Sequence, residues 1–190
     1  MSGWTALVPI KQGVGGKSRL SEALSHAQRE ALSLRMAQHV LAILEKHAEI
    51  SEIVILSAQR PEGWAGGWVA DEGRGLNAEI AAWRAGHGIG PVLVIHADLP
   101  LLRADDVGAV LEGAMQYGAV LATDRAGEGS NALAIADGRA FTFQFGPDSR
   151  RLHTGQNPSM PVIERTGLMA DLDTPEDLAF ARAQGFKNSP

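Results

Sequence analysis

The segment over residues 91–102, PVLVIHADLPLL, holds the aspartate that is best placed to do chemistry. Its four consecutive apolar residues, 92–95, are too few for a helix and are typical of a short strand buried on both faces. Pro100 prevents further strand pairing, so Asp98 is expected at the carboxyl end of a central parallel strand, where open α/β sheets bind ligands. Aspartate is also common in plain turns, so the segment alone leaves both interpretations open.

A second stretch suited to chemistry is the loop over residues 11–20, KQGVGGKSRL. Its three glycines allow backbone amides to face a ligand, and Lys11, Lys17 and Arg19 supply charge for phosphates. The loop is not a Walker A motif, because that motif requires a glycine where Lys11 stands. The composition favours a phosphate-binding loop of another kind over a solvated turn.

Two further aspartates precede the C-terminal helix. Thr174, Pro175 and Asp177 form a helix start, with Thr174 as the N-cap and Asp177 closing a capping box. This pattern leaves Asp171 and Asp173 without a structural explanation. Carboxylates suit magnesium, which proteins usually hold with one or two of them together with substrate phosphates. Together with the cationic loop, they indicate phosphoryl or nucleotidyl transfer, which depends on positioning and charge stabilisation.

The glycines of a turn, Gly73 and Gly75, stand directly before a predicted helix around Ile80. Backbone amides at a helix N-terminus can bind an anion. An ordinary tight turn explains the same residues equally well, so this pattern decides nothing alone.

Apolar runs around these stretches predict an α/β fold, a mostly parallel sheet flanked by helices. A long helix over residues 25–48, between strands 6–10 and 52–57, argues for a right-handed parallel crossover. Residues 119–122 and 132–136 are expected to form a small antiparallel excursion. Further strands are expected at residues 68–70, 92–95 and 141–145, and a further helix at 105–117. We expect a single domain over residues 1–190 with a frayed tail at 187–190.

Composition excludes several classes of protein. The net charge of −5 gives no general basic surface for nucleic acid, and the absence of cysteine excludes disulfides, thiolate zinc sites and cysteine nucleophiles. The N-terminus lacks a signal-peptide pattern, and no apolar run approaches the roughly 20 residues that span a bilayer. We therefore expect a cytoplasmic protein with neither a nucleic-acid nor a membrane partner.

Six short motifs follow one another from the first strand to the last helix. They are Val8-Pro9-Ile10-Lys11 with Lys17-Ser18-Arg19-Leu20, Gly75-Leu76-Asn77, Ala97-Asp98-Leu99-Pro100-Leu101-Leu102, Gly129-Ser130-Asn131-Ala132-Leu133, Phe145-Gly146-Pro147-x-Ser149 and Asp171-x-Asp173-Thr174-Pro175-Glu176-Asp177-Leu178. In this order they resemble the 2-phospho-L-lactate guanylyltransferase family, a deazaflavin-coenzyme branch of the nucleotide-diphospho-sugar transferases. The resemblance implies a Rossmann-like sheet of that superfamily's fold.

The resemblance also implies a reaction. GMP would pass from GTP to the phosphate of a small phosphorylated carboxylic acid in a magnesium-dependent step that releases pyrophosphate. Lys17, Arg19 and Asp98 would be the catalytic residues. The contacts implied for GTP are its phosphates with Lys11, Lys17 and Arg19, and its guanine and ribose with the backbone around Val8, Pro9, Gly75, Leu76 and Asn77.

The same resemblance implies a metal set and an acceptor set. Asp98 and Asp173 would hold Mg²⁺, with Asp171 as a substitute or neighbour. The implied acceptor-binding residues are Ser130, Asn131, Gly146 and Ser149.

The acceptor motif departs from the family pattern, which is closer to Phe-Gly-Pro-Gly-Ser-Phe. Asp148 and Arg150 occupy the last glycine and phenylalanine positions, and Ser130 stands where threonine is common. The sequence therefore leaves 2-phospho-L-lactate, phosphoenolpyruvate and 3-phosphoglycerate open as acceptors.

Two alternatives stay open beside this function. One is another transferase of the same fold, a molybdenum-cofactor guanylyltransferase or a sugar-acid cytidylyltransferase, although the first loop departs from the molybdenum pattern L-A-G-G-x-S-x-R-M-G. The other is a non-catalytic nucleotide-binding domain, which would have no need of Asp98 and Asp173. The family also allows a homodimer, with residues 141–145 or the antiparallel excursion as candidate edges.

Overall fold

One seven-stranded sheet organises the computed structural model, which describes residues 3–11, 17–88 and 90–187. The strand order is β3-β2-β1-β4-β6-β5-β7. Within this sheet only β6 runs antiparallel to its neighbours, which confirms the predicted mostly parallel sheet with a small antiparallel excursion. The strands are β1 (Trp4–Pro9), β2 (Ile50–Ser57), β3 (Gly67–Ala70), β4 (Val92–Ile95), β5 (Ala119–Thr123), β6 (Ser130–Ile135) and β7 (Val162–Ile163).

Two of the helices begin where the sequence predicts N-caps. The hydroxyl of Ser25 accepts from the Gln28 N–H, and that of Thr174 accepts from the Asp177 N–H, so both predicted capping boxes are confirmed. Each cap is worth about 1 kcal/mol. The helices are α1 (His26–Glu45), α2 (Leu76–His87), α3 (Ala104–Tyr117), α4 (Ser149–Thr154), α5 (Thr166–Met169) and α6 (Pro175–Ala183), with a 3-10 turn at Ser18–Leu20.

Alternate residues of β4 build two separate hydrophobic layers. Leu93 and Ile95 pack in the layer that contains α1 and α3, whereas Val92 and Val94 pack in the opposite layer with Ile80 of α2. All of these side chains are fully buried. Burying one such side chain stabilises the fold by about 1.5–3 kcal/mol, so the two layers fix the sheet between its helices.

A third, smaller cluster anchors two loops that end at the carboxyl edge of the sheet. Leu20 and Leu172 are fully buried in it, against Met36 of α1 and Leu178 of α6. Leu20 lies three residues after Lys17, and Leu172 directly precedes Asp173. One apolar cluster therefore holds two segments that carry charged site residues.

Several expectations about elements are wrong or lie outside the described residues. Residues 141–145 form no strand, and the short elements α4, β7 and α5 were not predicted. The antiparallel excursion forms no free edge of the described sheet, because β6 lies between β4 and β5 and β5 also pairs with β7. The predicted homodimer itself stays a prediction. The glycines of the first loop and residues 188–190 of the expected tail lie outside the described residues. No described helix is both long and apolar enough to cross a membrane.

Candidate active site

The carboxyl ends of β1 and β4 open into a cleft of about 620 Å³. These strands are parallel neighbours, so the residues that follow them lie side by side at one edge of the sheet. The cleft gathers predicted residues from four segments of the chain. Those that line it are Pro9, Lys11, Lys17, Arg19, Gly75, Leu76, Asp98 and Asp173.

Lys17 joins the two predicted metal carboxylates. Its Nζ lies 2.5 Å from Asp98 Oδ2 and 2.6 Å from Asp173 Oδ1. Only 9% of the lysine side chain is exposed, so both ion pairs are shielded from solvent at their shared cation. Lys17 also has a left-handed backbone with φ 56°, which a residue with a side chain rarely adopts. Lys17 therefore lines the cleft with a largely buried side chain and a backbone conformation that few residues adopt.

The electrostatic balance favours the charged forms of Lys17 and Asp98. Burial alone would lower the pKa of Lys17, but the charges of Asp98 and Asp173 and their hydrogen bonds outweigh it and raise the pKa. For Asp98, burial favours a higher pKa, but Lys17 and His96 outweigh it and the pKa is lowered. One ammonium between two carboxylates leaves an excess of one negative charge.

A backbone hydrogen bond explains why Asp173, and not Asp171, meets Asp98. The Leu172 N–H donates to Asp98 O at 3.1 Å, which places the segment before α6 directly beside the end of β4. Asp173 then reaches Lys17, whereas Asp171 Oδ1 accepts from Asn131 Nδ2 at 3.0 Å. Burial, followed by the nearby charge of Asp98 among others, raises the pKa of Asp171 despite that hydrogen bond.

The residues present fit a magnesium ion held partly by substrate. Asp98 Oδ1 is buried and has no hydrogen-bond partner in the described part of the chain, so it is an acceptor without a donor. Among the described residues, no group of three or more histidine, cysteine, aspartate or glutamate side chains could hold a metal. Two carboxylates are the donor set that magnesium uses when phosphates complete its coordination.

The glycine turn before α2 is organised by a buried acid that sequence reasoning missed. Glu79 Oε1 accepts from the N–H groups of Glu72 and Arg74 at 2.9 and 3.0 Å, and Oε2 accepts from Arg74 Nη2 at 2.6 Å. These hydrogen bonds hold the pKa of Glu79 at about 2. The two amides are thus used by the protein, and the turn offers a ligand Gly75, with φ 94°, and Leu76. An acid in the first turn of a helix after Gly-x-Gly was the available signal.

The predicted acceptor residues lie away from the cleft wall. In the described residues, none of Ser130, Asn131, Gly146 and Ser149 lines the Lys17 cleft. Ser130 Oγ is 3.0 Å from His153 Nδ1, and Asn131 Nδ2 donates to Leu168 O at 2.9 Å. Ser149 Oγ is buried and has no partner among the described residues, and Gly146 has φ 122°.

Two residues of the predicted GTP set also lie outside the cleft wall. Val8 is fully buried within β1 and pairs with Ile55 of β2, so its side chain is not available to a ligand. The side chain of Asn77 hydrogen-bonds to the backbone of Phe145.

Two histidines near the site were not predicted. His96 directly follows β4 and lines the cleft, where its Nε2 is buried without a partner in the described residues. Its ring centroid lies 5.4 Å from that of Phe145, which in turn contacts the ring of His153 at 5.0 Å. Burial lowers the pKa of His153 to about 4, so it is neutral at pH 7. The position of His96 directly after a buried strand was the signal that could have revealed it.

Comparison with known protein families shows which family this chain belongs to. The model of the family described as guanylyl transferase CofC like matches residues 4–182. The chain belongs to this family. The match runs from β1 into the last turn of α6, so both the Lys17 cleft and the turn over residues 146–149 of this CofC-like guanylyl transferase lie within it.

Relatives of known name agree with the family. The chain is 36% identical to phosphoenolpyruvate guanylyltransferase of Rubrobacter xylanophilus, over 95% of this chain and 94% of that protein. It is 33% identical to phosphoenolpyruvate guanylyltransferase of Streptomyces coelicolor, over 96% of this chain and 91% of that protein.

Solved structures confirm the fold of this guanylyl transferase. A Desulfovibrio desulfuricans protein described as a nucleotide-diphospho-sugar transferase superposes with a TM-score of 0.75 at 18% identity, covering 97% of this chain and 89% of that one. The 2-C-methyl-D-erythritol 4-phosphate cytidylyltransferase of Thermus thermophilus gives 0.59 at 16% identity, with 97% and 98% covered. The expected nucleotide-diphospho-sugar transferase fold is therefore confirmed.

Proposed function

We propose that this chain transfers GMP from GTP to the phosphate of a small phosphorylated carboxylic acid, in the cytoplasmic synthesis of deazaflavin coenzymes. The observation that carries the proposal is the Lys17 ammonium between Asp98 and Asp173 at the carboxyl ends of β1 and β4. A cation and two carboxylates at that edge can organise a nucleoside triphosphate without a covalent nucleophile.

The transfer is a single displacement. An oxygen of the acceptor phosphate bonds to the α-phosphorus of GTP while the bond from that phosphorus to the oxygen bridging to the β-phosphate breaks. The products are a guanylyl diphospho-acid and pyrophosphate, which carries away the electron pair of the broken bond.

The cations of the cleft stabilise the charge that develops on the leaving pyrophosphate. Lys17 is held at the bottom of the cleft, and the exposed side chains of Lys11 and Arg19 lie along the same wall. A charge-assisted contact to a phosphate oxygen is worth about 1.5–3 kcal/mol, so each cation can contribute tenfold or more to the rate.

Asp98 and Asp173 are the residues that would hold magnesium in this proposal. When bound, the ion neutralises phosphate charge and orients the triphosphate for in-line displacement. The unpartnered Oδ1 of Asp98 and its ionised state support this assignment.

Phosphoenolpyruvate is the proposed first acceptor. Relatives that match nearly the whole chain are named for it. The turn over residues 146–149 presents to such a ligand the Ser149 Oγ, a buried polar atom with no hydrogen-bond partner among the described residues.

Pyrophosphate release tests the proposal directly. The purified protein is incubated with Mg²⁺, each of the four nucleoside triphosphates, and phosphoenolpyruvate, 2-phospho-L-lactate or 3-phosphoglycerate in turn. We expect release only with GTP, and fastest with phosphoenolpyruvate. Faster release with a different phospho-acid would correct the proposed acceptor. Release with a different nucleoside triphosphate would correct the proposed base. Silence across the panel from protein that binds GTP would favour the non-catalytic alternative.

A further inference from the structure

Residues 141–145 are held by side chains where the sequence predicts a strand. At one end, Gln156 Oε1 accepts from the Thr142 N–H at 2.8 Å, and Gln156 Nε2 donates to Thr142 O at 2.7 Å. At the other end, Asn77 Oδ1 accepts from the Phe145 N–H at 2.7 Å, and Asn77 Nδ2 donates to Phe145 O at 2.9 Å. Each amide gives one residue both bonds that a neighbouring strand would supply.

The two amide pairs have different neighbours. Thr142 is exposed, and Gln156 follows α4 on the surface. Asn77 is the second residue of α2, directly after Gly75 and Leu76 of the cleft. Of the two amide pairs, the Asn77 pair is therefore the one that reaches the cleft, where the ring of His96 also lies 5.4 Å from that of Phe145.

Phe145 immediately precedes the turn over residues 146–149, and the other end of this turn is held by the Arg150 N–H, which donates to Glu128 O at 3.0 Å. The Phe145 ring is buried, but Gly146 has φ 122° and an added Cβ would have no neighbour within 4 Å, so packing does not hold the glycine. The turn closes through the Ser149 N–H, which donates to Gly146 O at 3.2 Å. The direction in which the turn leaves Phe145 thus depends on how the Phe145 backbone is held.

We propose that Asn77 is a positioning residue that sets the 146–149 turn relative to the nucleotide side of the cleft. The inference rests on the proposed function, in which this turn contributes to acceptor binding. The side chain of Asn77 serves the acceptor side through Phe145, while its backbone belongs to the turn that borders the nucleotide. The family motif Gly75-Leu76-Asn77 then joins the two substrate sites and does not serve GTP alone.

Kinetics with each substrate varied separately distinguishes the two roles. The test variants are Asn77→Ala, which suits a helix, and the nearly isosteric Asn77→Leu. Loss of two neutral hydrogen bonds should raise the KM for phosphoenolpyruvate about tenfold in both variants. The KM for GTP should change less than about twofold, because the backbone of the turn is retained. The opposite split, with GTP affected and the acceptor spared, would overturn the inference.

Gln156→Ala is the matched control, since it removes the same kind of amide pair from the far end of the same segment. We expect it to change the acceptor KM by less than about threefold. An equal rise in Gln156→Ala and Asn77→Ala would show general loosening of the segment and would also overturn the inference.

Amide hydrogen exchange provides a readout that needs no turnover. In both Asn77 variants, protection should fall at Phe145, which loses its bond to Asn77, and at Ser149, whose bond closes the turn. Gln156→Ala should instead lose protection at Thr142. Unchanged protection at Ser149 in the Asn77 variants contradicts the proposal, because the loss at Phe145 follows from the removed hydrogen bond alone. If the wild-type protein releases no pyrophosphate with any acceptor, the proposed function fails, and the exchange pattern still decides whether Asn77 positions the turn.

Discussion

The Lys17 cluster consists of Lys17, Asp98 and Asp173, and the His153 network consists of His153, Ser130 and Gln144. Both groups are polar, but they differ in how their polar atoms are paired. In the cluster, Asp98 and Asp173 share one cation, and Asp98 Oδ1 has no partner within the described residues. In the network, His153 Nε2 accepts from the Gln144 N–H at 2.9 Å and Nδ1 meets the Ser130 hydroxyl. Excess charge and an unsatisfied atom suit a group that binds a ligand, whereas a neutral, satisfied network suits one that holds the fold.

Removing a carboxylate from the cluster should produce the largest effect. We expect Asp98→Asn to lower kcat/KM about a thousandfold or more, a loss typical of a preorganised electrostatic group. The unfolding midpoint should shift by less than about 4 °C, because Lys17 keeps Asp173 as a partner. Pyrophosphate release and thermal unfolding measure the two quantities.

Asp171→Asn is the matched control for this comparison. Asp171 is two residues from Asp173 but bonds to Asn131 and does not contact Lys17. Its loss should cost about tenfold, the lower end of the range for groups outside the immediate contacts of a metal site. Equal losses in both variants would show that contact with Lys17 is unimportant. Full activity of folded Asp98→Asn would rule out a catalytic role for Asp98.

The cation of the cluster should have the next largest effect. Lys17→Ala removes a charged contact worth about 1.5–3 kcal/mol, so kcat/KM for GTP should fall about tenfold to a hundredfold. Steady-state kinetics with GTP varied checks this value. Lys46→Ala, which removes an equal charge from the exposed end of α1, should leave the kinetics within about twofold. Unchanged kinetics in Lys17→Ala would show that the first loop is an ordinary turn that does not bind the phosphates of GTP.

The contrast between the two regions also explains which parts of the site could be predicted. Residues 92–95 form a buried run that ends at proline, so the position of Asp98 follows from local sequence, and the structure confirms that strand. Asp173, and not Asp171, shares Lys17 with Asp98, because the Leu172 N–H donates to Asp98 O and places this segment beside β4. Nothing in the order of residues indicates that long-range contact.

The incorrect prediction of a strand at residues 141–145 has a related cause. Alternating apolar and polar residues indicate a segment with one buried face, and Phe143 and Phe145 are indeed buried. The pattern does not say what pairs with the backbone, and here the partners are side chains of Asn77, His153 and Gln156. Ser130 was assigned to the acceptor by resemblance, and its contact with His153 arises from α4, a helix of six residues that the sequence did not predict.

Changes to the His153 network should alter the free energy of unfolding. Of the changes considered, they should have the smallest effect on turnover. His153 has an ordinary pKa of 6.5 and a folded-state pKa of about 4, because burial disfavours its charged form. Between these values the unfolded chain binds more protons, so stability falls as pH drops from 6.5 and levels off below about 4. The full penalty is on the order of 3 kcal/mol.

His153→Gln keeps a donor and an acceptor but does not titrate in this range, so it isolates that contribution. Urea unfolding of both proteins at a series of pH values gives the difference in their unfolding free energies. We expect the wild type to lose on the order of 3 kcal/mol relative to the variant between about pH 7 and pH 4. Parallel stability curves would contradict a neutral, buried His153. Because the ring nitrogens are bonded to Ser130 and Gln144 and not to the cleft, turnover at pH 7 should change far less than in Asp98→Asn.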